Sequence, residues 1–429
     1  MTQISLSEDQ QSVFDKLEWF LFQDQDCKEL RIGGLAGTGK TTLIAYFIHK
    51  FFVPLRRHYG SITIGALTGK ATERLNSALG AANTQKNAQT LHKILFTVEV
   101  VKDYLSFSEN FEDNSLLYKL SGFKAIKEDE DDFRSRVVVK ENPTLPALIF
   151  VDEASMVSKE YYDLLTDPSK GVRKLVFIGD HGQLPPISKP NEEKFNLMEH
   201  PHEALTDIHR QLRGNPVIEL AHKIRAARNF NEVTKMINDS PLRKISSQFA
   251  IKGSIDYVNR DDFTWNDITH IVYKNKTRCE VNKNFLETLE DETDAPIICL
   301  KNTELENGDY LANGSRGILR KRLDYVLENG FMDARFTQVT ADFPHLDETC
   351  DIKAPTDAWL SEKYSRWFKD RSVVPMDYAF AITCHKAQGS SWKTVVVWTN
   401  DMVKYNFDEY KRWMYTAITR AEDNVIFVV

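Results

Sequence analysis

Cysteine is scarce in this chain, with five in 429 residues, at 27, 279, 299, 350 and 384. They lie far apart and form no C-x-x-C pair, which argues against a zinc or iron–sulfur site and leaves them as reduced, structural residues. Long apolar runs are missing too. No stretch approaches a membrane span, and the opening MTQISLSEDQQ has no basic segment followed by an apolar one. Neither a secretory signal nor a membrane anchor is expected, so an intracellular, cytoplasmic protein is the default. There is also no basic surplus: 55 Lys and Arg stand against 62 Asp and Glu, a net charge of −7. Five of the negative charges come from the run EDEDD at 128–132, which reads as a solvated loop, with a regulatory or partner-binding role as the alternative. Net charge therefore does not exclude a nucleic-acid partner.

What is present is ordinary in bulk and specific in detail. A chain of this length with 42% hydrophobic and 27% charged residues is a globular protein of two or three domains. GLAGTGKT at 34–41 matches G-x-x-x-x-G-K-[ST] without departure. Its glycines let backbone N–H groups close around phosphate oxygens; Lys40 supplies a point charge to the β- and γ-phosphates, and Thr41 offers a hydroxyl to Mg²⁺. The whole cradle is Gly34, Leu35, Ala36, Gly37, Thr38, Gly39, Lys40, Thr41 and Thr42. Leu30 to Gly33 reads as a strand and Thr42 to Phe52 as an amphipathic helix, the context this motif requires. ALIFVDE at 147–153 is a buried strand ending in two carboxylates. Asp152 is expected to hold the metal and Glu153 to polarise water.

LVFIGDHGQLPP at 175–186 is a second such strand, ending in Gly-Asp and followed by a polar loop with Gln183. That loop suits a γ-phosphate sensor; alone, Asp180 and Gln183 read first as turn residues, and their position one strand after Asp152 turns the reading towards the sensor.

In order and spacing the chain resembles a superfamily 1 DNA helicase of the RecD and phage Dda type. LSEDQQ at 6–11 is similar to the Q motif, ALTGKAT at 66–72 to motif Ia, TLHKIL at 90–95 to motif Ib and GDHGQLPP to motif III. LTDIHRQ at 205–211, TCHKAQGSSW at 383–392 and WMYTAITR at 413–420 are similar to motifs IV, V and VI. The resemblance implies that Gln10 recognises adenine and that Arg210 and Arg420 reach the transferring phosphate, where a planar, permanently charged fork is suited to the task. It implies a single-strand track of Thr68, Lys70, His92, Asn275, Thr383, His385 and Lys386, whose short donors suit phosphate oxygens without reading sequence. Other readings stand beside it: Thr68 and Lys70 as helix-capping residues, His385 as a core histidine, Asn275 as a turn residue.

The expected fold is α/β, with two RecA-like P-loop domains built on parallel sheets. The first takes 1–95 and 147–204, and the second 205–302 and 374–429. An insertion at 96–146 resembles the place where a β-hairpin pin is carried, with Thr97 to Val101 and Ser135 to Lys140 β-rich and able to pair. Phe107, Phe111 and Phe133 suit either its tip or a small local core. A second insertion at 303–373, short β-rich runs broken by Gly and Asn, suggests an SH3-like β-barrel. There Trp359, Tyr364, Trp367 and Phe368, followed by Lys369 and Arg371, suit either DNA contacts or core positions.

The resemblance thus implies a monomeric, ATP- and Mg²⁺-dependent helicase acting on single-stranded and forked DNA in replication, recombination or repair. Single-strand-binding or replication and recombination proteins are candidate partners, and the phage-infected or bacterial cytoplasm the implied location. The 5′ to 3′ direction rests on the resemblance alone. Two alternatives stand: a RecD-like motor subunit of a repair complex, and a non-catalytic nucleic-acid clamp that retained an ATPase fold.

Overall fold

A computed structural model describes residues 6–82, 88–104, 133–187, 194–207, 214–260, 263–301, 303–305, 310–311, 313–328, 331–344, 346, 348–362, 373–402 and 406–429. Arg210, Phe107, Phe111, the run at 128–132, Tyr364, Trp367, Phe368, Lys369 and Arg371 lie outside the described residues, as does the side chain of Phe133. Close packing divides the chain into two compact units, one of 1–94, 143–291 and 379–429, the other of 95–142 and 292–378.

The first unit holds two parallel sheets. One has six strands in the order Gln89–Thr90, Ile62–Ala66, Leu148–Asp152, Lys174–Gly179, Glu29–Gly34 and Glu203–Leu205. The other has five, in the order Ala381–Thr383, Ile268–Val272, Trp392–Trp398, Ala421–Val428 and Arg243–Ile245. Their central strands are buried along their length, which is why they read as unbroken apolar runs rather than alternating ones. Leu205, placed in the second domain by sequence, pairs with Gly34 in the first sheet.

Two helices cover much of the first sheet. Helix α1, Glu8–Phe22, opens on a reciprocal capping box between Ser7 and Gln10. Helix α2, Lys40–Tyr59, runs past the expected end at Phe52 and through Pro54. The hydrogen bond that proline removes is offset by packing, because Leu55 and Tyr59 beyond it are buried. Phe14 and Phe51 each set their ring centroids 4.9 Å from that of Phe47, which is fully buried. Among the described residues no helix is long and apolar enough to cross a membrane.

The second unit contains the hairpin Phe96–Tyr104 with Phe133–Glu141, paired in register from Phe96 opposite Glu141 to Tyr104 opposite Phe133. It also holds a five-stranded antiparallel sheet in the order Cys350–Pro355, Phe336–Asp342, Arg316–Leu323, Pro296–Cys299 and Met376–Tyr378. Pro296–Cys299 and Met376–Tyr378 were expected in the second RecA-like domain. Their apolar runs fit a buried parallel strand as well as the antiparallel one they form, and sequence gives no direction of pairing.

The strand Ile268–Val272 carries a fully buried histidine whose tautomer is fixed by its neighbours. The indole N–H of Trp398 donates to His270 Nδ1 at 3.0 Å, so the proton sits on Nε2, 2.9 Å from the hydroxyl of Ser254. That hydroxyl in turn donates to the carbonyl of Ala250 at 2.9 Å. Burial lowers the imidazole from its ordinary 6.5 to about 3. As pH falls below 6.5 the unfolded chain takes up a proton that the folded chain refuses until about 3, so this stability is full above that window and lost through it. The loss should be ~1.4 kcal/mol per pH unit. Denaturant midpoints measured from pH 7 downwards should fall less steeply in His270→Gln than in the wild type.

Candidate nucleotide site and strand track

Strand Glu29–Gly34 delivers the glycine-rich loop to the C-terminal edge of the first sheet, where open α/β folds hold ligands. Gly37 and Gly39 have φ of 83° and 76°, a left-handed backbone that disfavours side chains. Helix α2 starts without a side-chain cap, so its first-turn N–H groups face the loop's concavity as an anion site. The Lys40 ammonium lies across the loop, donating to the carbonyls of Gly34 at 2.6 Å and Leu35 at 3.0 Å. The Gln10 amide donates to the carbonyl of Thr38 at 3.2 Å, which ties the start of α1 to the same loop.

Two strands away, Leu148–Asp152 brings its carboxylates to this edge. Thr41 Oγ1 donates to Asp152 Oδ2 at 2.9 Å. A hydroxyl and a carboxylate side by side are hard oxygen ligands of the kind that suit Mg²⁺. Glu153 has a left-handed backbone, φ 54°, which turns its side chain away from the strand direction; its Oε1 accepts from an Arg74 guanidinium nitrogen at 2.6 Å. Both acids are buried. Burial, then the charge of Glu153, pushes Asp152 above the ordinary carboxylate range, outweighing Arg74 and Thr41. Burial also pushes Glu153 up, but Arg74, then Arg420 and Lys40, more than cancel it and hold it below that range. The cations select Glu153 as the charged member of the pair.

The neighbouring strand, Lys174–Gly179, ends at Asp180, and here the two parallel sheets meet. Tyr415, on the helix Phe407–Ile418, donates to Asp180 Oδ2 at 2.7 Å and accepts the backbone N–H of Ala36 at 2.7 Å. Burial first and Asp180 second raise this phenol well above its ordinary value. Gln183 is buried, its amide 3.4 Å from Asp180 Oδ2, and its Oε1 has no hydrogen-bond partner. Leu184 is held from the second sheet by Thr416 Oγ1 at 3.0 Å and by the Gln388 amide at 2.8 Å. Arg420 is buried and aimed by the carbonyls of Thr416 and Ser390, at 3.1 and 3.2 Å, towards the field of Glu153.

The expected strand-track residues all sit at or just beyond the C-terminal ends of parallel strands. Thr68 and Lys70 follow Ile62–Ala66, His92 follows Gln89–Thr90, Asn275 follows Ile268–Val272, and Thr383 closes the strand that His385 and Lys386 follow. Thr68 also caps helix α3, Gly69–Ala81, through a 3.1 Å bond from Ala71 N–H. Lys70 and Asn275 are exposed. His92 and His385 are partly covered, and burial lowers both imidazoles.

Two residues at the centre of this geometry carried no role in the sequence reading. Arg74 lies four positions after Lys70 in GKATERL, a helical spacing that sets both on one face. Tyr415 lies inside WMYTAITR, where attention falls on the terminal arginine. Tyr415→Phe keeps the ring but strips Asp180 of a donor and Ala36 of an acceptor in a buried place. It should lower stability by about 1–3 kcal/mol, read as a shift of the denaturant midpoint.

Comparison with known proteins adds the following. A family described as an AAA domain matches residues 23–189, and one described as a UvrD-like helicase C-terminal domain matches 378–428. The chain is 24% identical over 437 residues to the ATP-dependent RecD2 DNA helicase of Deinococcus radiodurans, covering 97% of this chain and 48% of that protein. It is 23% identical over 311 residues to the ATP-dependent DNA helicase PIF1 of Xenopus laevis, covering 64% of this chain and 46% of that protein. The chain thus spans about half the length of these curated relatives. The crystal structure of Pif1 helicase from Bacteroides in complex with ADP-AlF3 and ssDNA shares the fold, with a TM-score of 0.54 at 18% identity over 100% of this chain and 93% of that one. Two family matches in this order, one over the nucleotide loop and one over the end of the second parallel sheet, together with relatives of both kinds, make the chain similar to the Pif1/RecD-like helicases of superfamily 1.

Proposed function

We propose that this chain is an ATP- and Mg²⁺-dependent DNA helicase or translocase that moves 5′ to 3′ along one strand and opens duplex ahead of it. The observation that carries the reading is the single site to which both parallel sheets contribute: Thr41 on Asp152 at 2.9 Å, with Glu153 in the combined field of Lys40 and Arg420. Relatives of both the RecD2 and PIF1 kind are ATP-dependent DNA helicases by name, which supports the same reading. Thr41 and Asp152 would hold the metal, which neutralises phosphate charge when bound. Lys40 and the first-turn amides of α2 orient the phosphates, and Gln10 reads the adenine edge. Glu153, kept charged, polarises the attacking water. Arg420, and Arg210 beside it in this reading, stabilise charge that grows on the transferring phosphoryl group. Because Arg420 comes from the second sheet and the nucleotide loop from the first, hydrolysis depends on their mutual fit, and the fit changes as ATP is consumed. Alternation between the two sheets' holds on a strand at Thr68, Lys70, His92, Asn275, Thr383, His385 and Lys386 would then produce stepwise movement. In this reading the protein works as a monomer, the insertion at 96–146 is the strand-separating wedge, and the antiparallel sheet is an SH3-like accessory element.

The test is unwinding of duplexes carrying either a 5′ or a 3′ single-stranded tail, with and without ATP. The 5′-tailed substrate should be opened and the 3′-tailed one left intact; ATP-independent binding without unwinding would replace this reading with that of a clamp. Lys40→Ala and Glu153→Gln should each cut DNA-stimulated turnover by at least about a hundredfold while single-strand binding stays measurable. Near-normal turnover in Glu153→Gln would remove that residue from its role.

The wedge is tested separately. Replacing Lys102 to Arg134 with a short Gly/Ser linker should leave strand-stimulated hydrolysis, and displacement of streptavidin from a biotinylated single strand, largely intact while slowing the opening of a 5′-tailed fork. Undiminished unwinding would show that strands part elsewhere, and equal loss of all three activities would make the hairpin a support of the motor.

A further inference from the structure

Helix α3 touches both the second sheet's TCHKAQGSSW segment and the buried carboxylates of the nucleotide site. At its start, Thr68 sits against the backbone of the second sheet's TCHKAQGSSW segment: a Cβ on Gly389 would lie 2.6 Å from Thr68 Oγ1. The Lys70 ammonium donates to the carbonyl of Ser391 at 3.2 Å and lies 5.1 Å from the centroid of the Trp392 ring. One helical turn later, on the same face, Arg74 reaches Glu153 Oε1 at 2.6 Å and comes within 3.5 Å of Thr41 Oγ1. The opposite face is anchored by Ala71, Thr72, Leu75 and Leu79, all buried, so the helix can shift only as one piece.

An ion pair of this kind restrains the glutamate. Glu153 needs a free lone pair directed at water, yet one of its two carboxylate oxygens, Oε1, is held by the Arg74 guanidinium at 2.6 Å, which fixes the direction in which the other points.

We propose that Arg74 is a positioning residue that couples strand binding to hydrolysis: it holds Glu153 in an idle orientation, and a DNA strand engaging the start of α3 draws Arg74 back and frees the carboxylate. This rests on the helicase reading above and adds to it the device by which DNA switches hydrolysis on. The ligand is the phosphodiester backbone of a single strand, whose oxygens compete for Lys70 with the carbonyl of Ser391. Movement of Lys70 is carried to Arg74 by the intervening turn. No bond is made or broken in this step.

The experiment uses the full chain with saturating ATP, with and without oligothymidylate, in wild type, Arg74→Ala and Arg74→Lys. In Arg74→Ala the DNA-free turnover should rise by about fivefold and the ratio of DNA-stimulated to DNA-free turnover should shrink by a similar factor. The KM for ATP and the Kd for oligothymidylate should stay at their wild-type values. Arg74→Lys, which keeps a charge, should restore part of the coupling. A wild type that hydrolyses no ATP in response to the strand would overturn the helicase reading and this one with it. A stimulated wild type with an unchanged ratio in Arg74→Ala would overturn the coupling alone, as would an equal fall in both rates. A raised KM at unchanged kcat would make Arg74 a nucleotide ligand and would likewise overturn it.

Discussion

Two carboxylates in succession at the end of a buried strand repel each other and are both stripped of water, so they cannot both stay charged without help. Here the help is directional: Arg74, Lys40 and Arg420 all act on Glu153, while Asp152 has only the charge of Arg74 beside a hydroxyl from Thr41 and the amide of its own neighbour. Much of the surrounding architecture follows from that arrangement. The cations come from the nucleotide loop, from the helix after the second strand and from the second sheet, so the charge state of one glutamate depends on three separate elements being in place. The left-handed turn at Glu153 belongs to the same constraint, since it separates the directions of two adjacent side chains that must do different things.

The parallel sheets and the nucleotide loop were legible because their signals are local. An apolar run ending in Asp-Glu, or a glycine loop between strand and helix, states its geometry within a dozen residues. The hairpin pairing of Phe96–Tyr104 with Phe133–Glu141 was legible for a similar reason, as two β-rich stretches flank one insertion. Helix α2 was read short because Pro54 is a local stop signal, and only tertiary packing of Leu55 and Tyr59 overrides it.

What escaped the sequence was contact at a distance. Pro296–Cys299 looks like any short buried strand, and nothing within it states that its neighbours are Arg316–Leu323 and Met376–Tyr378 rather than a parallel partner. Tyr415 and Ala36 are 379 positions apart, and their hydrogen bond is a property of the assembled sheets alone. Arg74 is an intermediate case. Its spacing from Lys70 was visible, but the acid it meets lies 79 positions on. Motifs mark the residues whose chemistry is fixed by type, and the residues that tune them are found by packing.

The strand order of the second sheet bears on how the chain is made. Arg243–Ile245 lies at one edge and Ile268–Val272 inside, yet the two strands between them, Trp392–Trp398 and Ala421–Val428, are synthesised much later. At ~5–20 residues per second a ribosome leaves the early strands waiting for their partners on the order of ten seconds. In the first sheet the comparable wait falls on Glu29–Gly34, whose two partners, Lys174–Gly179 and Glu203–Leu205, also come much later. During that interval Ile268–Val272, which the finished sheet buries along its whole length, has unpaired backbone along both edges and needs shielding from neighbouring chains.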